Sequence, residues 1–195
     1  MSEVPQHLVV GMSGSSAPQL GVAFLRACQR LGAVETHFVM SAGARRTIEL
    51  EMGLQADDIA AMADHAYDFG DLAAAISSGS FITMGMVIIP CSMRTLAAVA
   101  TGNTSDLLTR AADVCLKERR RVVFVTRETP LNLIHIRNME TVTLAGGTIL
   151  PPVPAFYHRP KTIDDLLRHT VGKALDQFGI AHTEFDRWDG GEDAG

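Results

Sequence analysis

The sequence has little cysteine, no long apolar run and no surplus of positive charge. Its 3 cysteines, Cys28, Cys91 and Cys115, are odd in number and widely spaced, with no C-x-x-C pair. That argues against a disulfide scaffold or a zinc ribbon. The longest apolar stretch, Met84 to Pro90, falls far short of the roughly 20 residues a membrane span needs. Met1 to His7 lacks the basic-then-apolar order of a signal peptide. These absences predict a cytoplasmic protein with no membrane partner. Basic residues number 17 against 22 acidic ones, a formal net charge of -5. A general nucleic-acid binder shows the opposite balance, so no nucleic-acid partner is expected. Among the 7 histidines there is no H-E-x-x-H or H-x-x-H pair, which predicts no catalytic metal.

What is present is an ordinary globular composition: 195 residues, 47% hydrophobic and 20% charged. The length fits one domain, read here as residues 1–188, and a domain of this size buries roughly 70% of its unfolded surface without a staple. The acidic, glycine-rich end Asp189 to Gly195 reads as a disordered tail.

Apolar periodicity alternates between strand and helix. His7 to Met12, Glu35 to Met40, Met86 to Pro90, Arg121 to Thr126 and Thr148 to Leu150 read as strands. Pro18 to Leu31, Ala42 to Met52, Thr95 to Thr101, Asp106 to Glu118, Pro130 to Ala145 and Ile163 to Phe178 read as helices. Runs such as Met86-Val-Ile-Ile-Pro90 suit strands buried on both faces. The rotation predicts an α/β three-layer sandwich around a parallel sheet. Ligands of such sheets bind beyond the carboxyl ends of the strands.

The segments at those ends carry the chemistry. Gly11-Met-Ser-Gly-Ser-Ser-Ala17 offers hydroxyls and free N–H groups to an anion, or is simply a tight turn with a serine cap. It is neither a dinucleotide fingerprint nor a phosphate-binding P-loop. It is not a nucleophile elbow either, since Ser15 stands where the final glycine belongs. In Pro90-Cys-Ser-Met-Arg-Thr95, Ser92 and Thr95 suit a helix cap and Arg94 suits a phosphate or carboxylate. Cys91 reads as a small packed residue, with no histidine near it in sequence. Arg127-Glu-Thr-Pro130 places an acid and a base at a strand end, as proton-transfer groups or as a surface ion pair. Arg110 and Lys117 lie two helical turns apart, on one face, and Lys117 to Arg121 is equally a solvated helix end. Tyr157 offers a hydroxyl to a phosphate oxygen, or packs beside Phe156.

Together the segments Ser78 to Ala98, Arg110 to Arg121, Arg127 to Leu131, Pro151 to Pro160 and Leu175 to Gly179, with Arg187-Trp188 near the end, resemble the UbiX-type flavin prenyltransferases. The resemblance covers nearly the whole chain and rests on the combination, each segment alone being weak. It implies a flavodoxin-like or Rossmann-like sandwich assembled as a homododecamer. It implies reduced FMN and dimethylallyl phosphate as substrates, with the dimethylallyl group joined to N5 and C6 of the flavin. The product, prenylated FMN, passes to a UbiD-type decarboxylase, and no metal takes part.

Carried over by position, Gly14, Ser15, Ser16 and Ser41 match the family's first flavin contacts. Ser92, Met93, Arg94 and Thr95 match the second flavin segment, and Arg127 a third. Tyr157 and Lys173 match ligands of dimethylallyl phosphate, joined by Arg110 and Lys117 from a neighbouring subunit. Glu128 matches the acid/base residue, Glu51 a second carboxylate near the prenyl site, and Trp188 a cover for the prenyl group. Such a set makes physical sense: cations and a phenol draw charge onto a leaving phosphate, and aromatic rings favour an allylic cation. The family's first loop reads Gly-Ala-Ser-Gly-Ala, whereas here Gly14 is followed by Ser15, Ser16, Ala17 and Pro18. If the Ala17 position needs a positive φ, alanine is strained there. Two other readings stand beside this one: a non-catalytic FMN carrier or decarboxylase-complex subunit, and a flavin-dependent cysteine-type decarboxylase. Members of the latter carry Pro-Ala-Ser-Ala-Asn-Thr where this chain has Arg94 in the asparagine place.

Overall fold

A computed structural model describes residues 6–188 and 190. Of the tail, only Gly190 is among them, so the expectation for the rest of Asp189 to Gly195 lies outside the described residues. Six strands form one parallel sheet: β1 (His7–Met12), β2 (Glu35–Met40), β3 (His65–Tyr67), β4 (Gly85–Cys91), β5 (Arg121–Thr126) and β6 (Gly147–Ile149). Their order is β3-β2-β1-β4-β5-β6. Helices α1 (Gln19–Leu31), α2 (Ala42–Met52) and α3 (Ala56–Ala60) lie between the first three strands. Helices α4 (Met93–Ala100) and α5 (Leu107–Lys117) separate β4 from β5, α6 (Leu133–Leu144) precedes β6, and α7 (Ile163–Gln177) follows it. No helix among the described residues is long and apolar enough to cross a membrane.

The strands sort their side chains by parity, as a pleated sheet requires. Leu8, Val10, Met12, Val87 and Ile89 pack with α1, α2, α3 and α7. Val9, Val39, Met86, Ile88 and Phe124 pack with α4, α5 and α6. Both faces are therefore covered, the condition under which parallel strands become continuous apolar runs.

Three local rules set what the sequence reading left approximate. β4 runs through Pro90 to Cys91 instead of stopping at the proline. Its pairing with β5 shifts register between Ile88 and Cys91, which accommodates a residue with no N–H to donate. The next helix begins at Met93, two residues earlier than its periodicity suggested, because the Ser92 side chain caps it by accepting the Thr95 N–H. α6 begins at Leu133 because Asn132 and His135 form a reciprocal capping box.

The strand order places the reversal point between β1 and β4, which leave the sheet toward helices on opposite faces. The crevice beyond their carboxyl ends is where this architecture binds ligands.

Candidate functional site

Three loops meet at that crevice through serine side chains. The Ser13 hydroxyl, 2% exposed, accepts the Ser92 N–H at 2.8 Å and faces the Pro90 carbonyl at 3.2 Å. It joins the end of β1 to the end of β4. Ser15 donates its hydroxyl to the Arg127 carbonyl at 2.9 Å, joining the same loop to the end of β5. Ser41 caps α2 by accepting the Ala44 N–H at 3.1 Å, as Ser92 caps α4. Two capped helix starts, with unpaired N–H groups in their first turns, therefore open on one crevice. That arrangement favours an anion.

A pocket of about 300 Å³ lies there. Gly14, Ser41, Ser92, Arg94 and Thr95 all line it. Five residues assigned to flavin from separate parts of the sequence thus share one cavity. A side chain at Gly14 would put its Cβ 2.8 Å from the Gly43 backbone, so the first loop lies flush against the start of α2. Thr126, at the end of β5, keeps a buried hydroxyl with no hydrogen-bond partner. Free donors, hydroxyls, an exposed guanidinium and a close backbone approach suit a phosphorylated planar ligand such as FMN.

The loop after β1 is held by Glu51. One of its carboxylate oxygens accepts the Ser16 hydroxyl at 3.1 Å and the Ala17 N–H at 3.0 Å. Ala17 has φ 69°, so the position is left-handed and alanine is strained in it. Here Glu51 acts on the loop itself, a contact that its assignment as a carboxylate near the prenyl group did not include. Glu128 is exposed on the loop after β5 and, among the described residues, accepts only the Thr129 N–H, at 3.1 Å. Met93 is buried among the packing residues of its layer and is not among the residues that line the pocket.

A second group forms around α7. Tyr157 shares a 2.9 Å hydrogen bond with His169 Nε2 and stands edge-on to Trp188. His169 lies one helical turn before Lys173 on the same face. Burial, then the neighbouring His158 and Lys173, hold His169 below the usual histidine range, so it meets the phenol as a neutral ring. Lys173 is exposed, 3.7 Å from Asp176. Arg110 and Lys117 are not brought to this group within the chain. Arg110 donates to the Ser77 carbonyl and to Asp113, and Lys117 pairs with Glu118. The cysteines take no part: burial pushes Cys28 up to about 12, Cys115 up to about 11, and Cys91 higher still.

Four contributors escaped the sequence reading. Phe69, Asp106 and Thr109 line the pocket, and His169 holds Tyr157. Asp106 had a legible mark as the cap of α5, accepting the Thr109 N–H at 2.8 Å. Phe69 comes from an irregular loop and carried no pattern.

The chain matches the Flavoprotein family over residues 2–174. It is 50% identical over 187 residues to the flavin prenyltransferase UbiX of Escherichia coli strain K12, covering 95% of this chain and 99% of that one. A crystal structure of AnUbiX in complex with FMN and dimethylallyl pyrophosphate superposes with a TM-score of 0.93 at 49% identity, covering 96% of this chain and 99% of that one. A dodecameric FMN-dependent UbiX-like decarboxylase from Escherichia coli O157:H7 gives a TM-score of 0.92 at 50% identity, covering 95% and 100%.

Proposed function

The chain belongs to the flavoprotein family and, within it, to the UbiX-type flavin prenyltransferases, and from that membership we propose that it joins a dimethylallyl group to N5 and C6 of reduced FMN. The observation that carries the reading is the pocket at the reversal point, where Gly14, Ser41, Ser92, Arg94 and Thr95 meet. AnUbiX, matched over nearly its whole length, holds FMN and dimethylallyl pyrophosphate.

Each residue has a defined task in this reaction. The hydroxyls of Ser41, Ser92 and Thr95, the N–H groups at the starts of α2 and α4, and Arg94 hold FMN and its phosphate. Ser15, Ser16 and Arg127 fix the loops around it. Bound FMN supplies the nucleophilic N5 and C6 positions. Tyr157 donates to the donor's phosphate and Lys173 places a positive charge beside it. Both draw electron density onto the departing oxygen as its bond to the allyl carbon breaks. Arg110 and Lys117 reach the same phosphate from a neighbouring copy. Trp188 covers the allyl group, where an aromatic face stabilises positive charge. Glu128 takes up the proton released when the ring closes at C6.

The donor is dimethylallyl phosphate in this reading, with the diphosphate as its natural comparison. The assembly is a homo-oligomer, a dodecamer like that of the O157:H7 relative, and prenylated FMN goes to a UbiD-type decarboxylase. The test is anaerobic: mix the protein with reduced FMN and dimethylallyl phosphate, and weigh the extracted flavin. A flavin heavier by one dimethylallyl unit is expected. Unmodified FMN, with binding intact and the diphosphate also inactive, overturns the prenyltransferase in favour of an FMN carrier.

A further inference from the structure

The opposite end of the sheet holds a group of side chains that prenyl transfer does not use. β1 begins with His7, β2 carries Glu35 and His37 two residues apart, and β3 begins with His65. The register sets His7 beside Glu35 and His37 beside His65. Alternate residues of a strand share a face, so β1 and β2 bring the ligand atoms of His7, Glu35 and His37 within 4.8 Å of one another, while β3 sets His65 against Glu35 and its ring on that of His37. His37 Nε2 lies 3.0 Å from His7 Nδ1 and 4.0 Å from Glu35 Oε1. His7 Nδ1 lies 3.8 Å from Glu35 Oε2, and His65 Nε2 lies 2.5 Å from Glu35 Oε1.

From this geometry we propose that His7, Glu35 and His37 form a structural binding site for a divalent transition-metal ion of the zinc class, with His65 paired to the Glu35 carboxylate beside it.

Bonds of about 2.1 Å in a tetrahedron set ligand atoms about 3.4 Å apart. The separations among His7, Glu35 and His37, from 3.0 to 4.0 Å, bracket that value and leave a fourth position to a water molecule. The outer partner is also present. His37 is 3% exposed, and its other ring nitrogen, Nδ1, lies 2.8 Å from the Tyr67 hydroxyl. With His37 donating its Nδ1–H to that hydroxyl, the Nε2 lone pair is left for an ion, the usual support of a metal-binding histidine. Two imidazoles and one carboxylate suit zinc better than calcium or magnesium, which take oxygen ligands. Depressions flank the group on both sides. One is lined by Gln6, His7, Phe81 and Met84, the other by Glu35, Asp64 and His65. They give an ion a way in.

The site is remote from the flavin crevice. Six residues of β1 separate His7 from Ser13, which places the two ends about 20 Å apart. An ion here joins β1 and β2, and the edge strand β3 meets the group through His65 on Glu35. Its effect is on stability, not turnover.

The assembled full-length protein, freed of metal with a chelator, is titrated with Zn2+ by calorimetry and with Co2+ by visible spectroscopy. Expected are a micromolar or tighter Zn2+ affinity and the intense bands of four-coordinate Co2+. Zn2+ at a hundredfold excess over its Kd should raise Tm by about 5 °C. His7→Asn and Glu35→Gln, each checked for native assembly mass and circular dichroism, should weaken binding at least tenfold. The double variant His7→Asn/Glu35→Gln should lose both the Co2+ bands and the Tm rise while keeping wild-type prenyl transfer. Absence of Co2+ bands in the wild type, or equal Zn2+ affinity in the double variant, overturns the site.

Discussion

Ala17 keeps a left-handed backbone in the loop whose Gly14 lines the crevice, and the Glu51 carboxylate holds it there through the Ala17 N–H. Glycine reaches this conformation without the Cβ penalty. Ala17→Gly should therefore raise stability by about 0.5–1 kcal/mol, read from the denaturant midpoint at unchanged slope. Glu51→Ala should do the reverse and weaken FMN binding together with stability, since the loop loses its clamp. Glu128 behaves differently, because among the described residues its side chain accepts only from the adjacent Thr129 N–H. Glu128→Gln should leave FMN affinity and Tm unchanged and lower prenyl transfer by about a hundredfold or more. Wild-type turnover in that variant removes the acid/base assignment.

α7 ties the end of the chain to the substrate group through one carboxylate. Asp176 lies 2.6 Å from Arg187, 3.1 Å from His182 and 3.7 Å from Lys173. Burial works to raise its pKa, but hydrogen bonds from Arg187 and His182, and their charges, bring it below the usual carboxylate value. A carboxyl depressed in the folded state binds protons more readily when unfolded. Its contribution is therefore present above about pH 4 and is lost as pH falls through the lower folded value. Wild type should exceed Asp176→Asn in Tm at pH 5, and the gap should close toward pH 3. Elements were legible in the sequence where apolar runs or helical periods are long: β1, β2, β5 and α2 lie where the pattern put them. β3 was not, since its three residues His65-Ala-Tyr67 form an edge strand with no alternation to read. The short α3 escaped for the same reason. Of the site, the serine-rich strand ends were legible because capping residues declare themselves. The histidine group was not, because its members reach one spot only through strand register.

The single chain leaves its substrate group open. Tyr157, Phe156 and Val153 are exposed, as are Leu133, Ile134 and Ile136 on α6. α6 packs Val142 and Met139 on the core and leaves Leu133, Ile134 and Ile136 exposed. Light scattering should give a mass that is a multiple of the 21.0 kDa chain. Ile134→Glu/Ile136→Glu should lower that mass and, with it, prenyl transfer, because Arg110 and Lys117 would no longer reach a neighbour's Tyr157. The three buried thiols offer a different use of the same architecture. Cys28 belongs to the layer of α1 and α7, while Cys91 and Cys115 belong to the layer of α4 to α6. An alkylating reagent reaches each one only when its own layer parts from the sheet. The order in which mass spectrometry finds the three labelled is thus a native clock, timing the opening of one side of the molecule against the other.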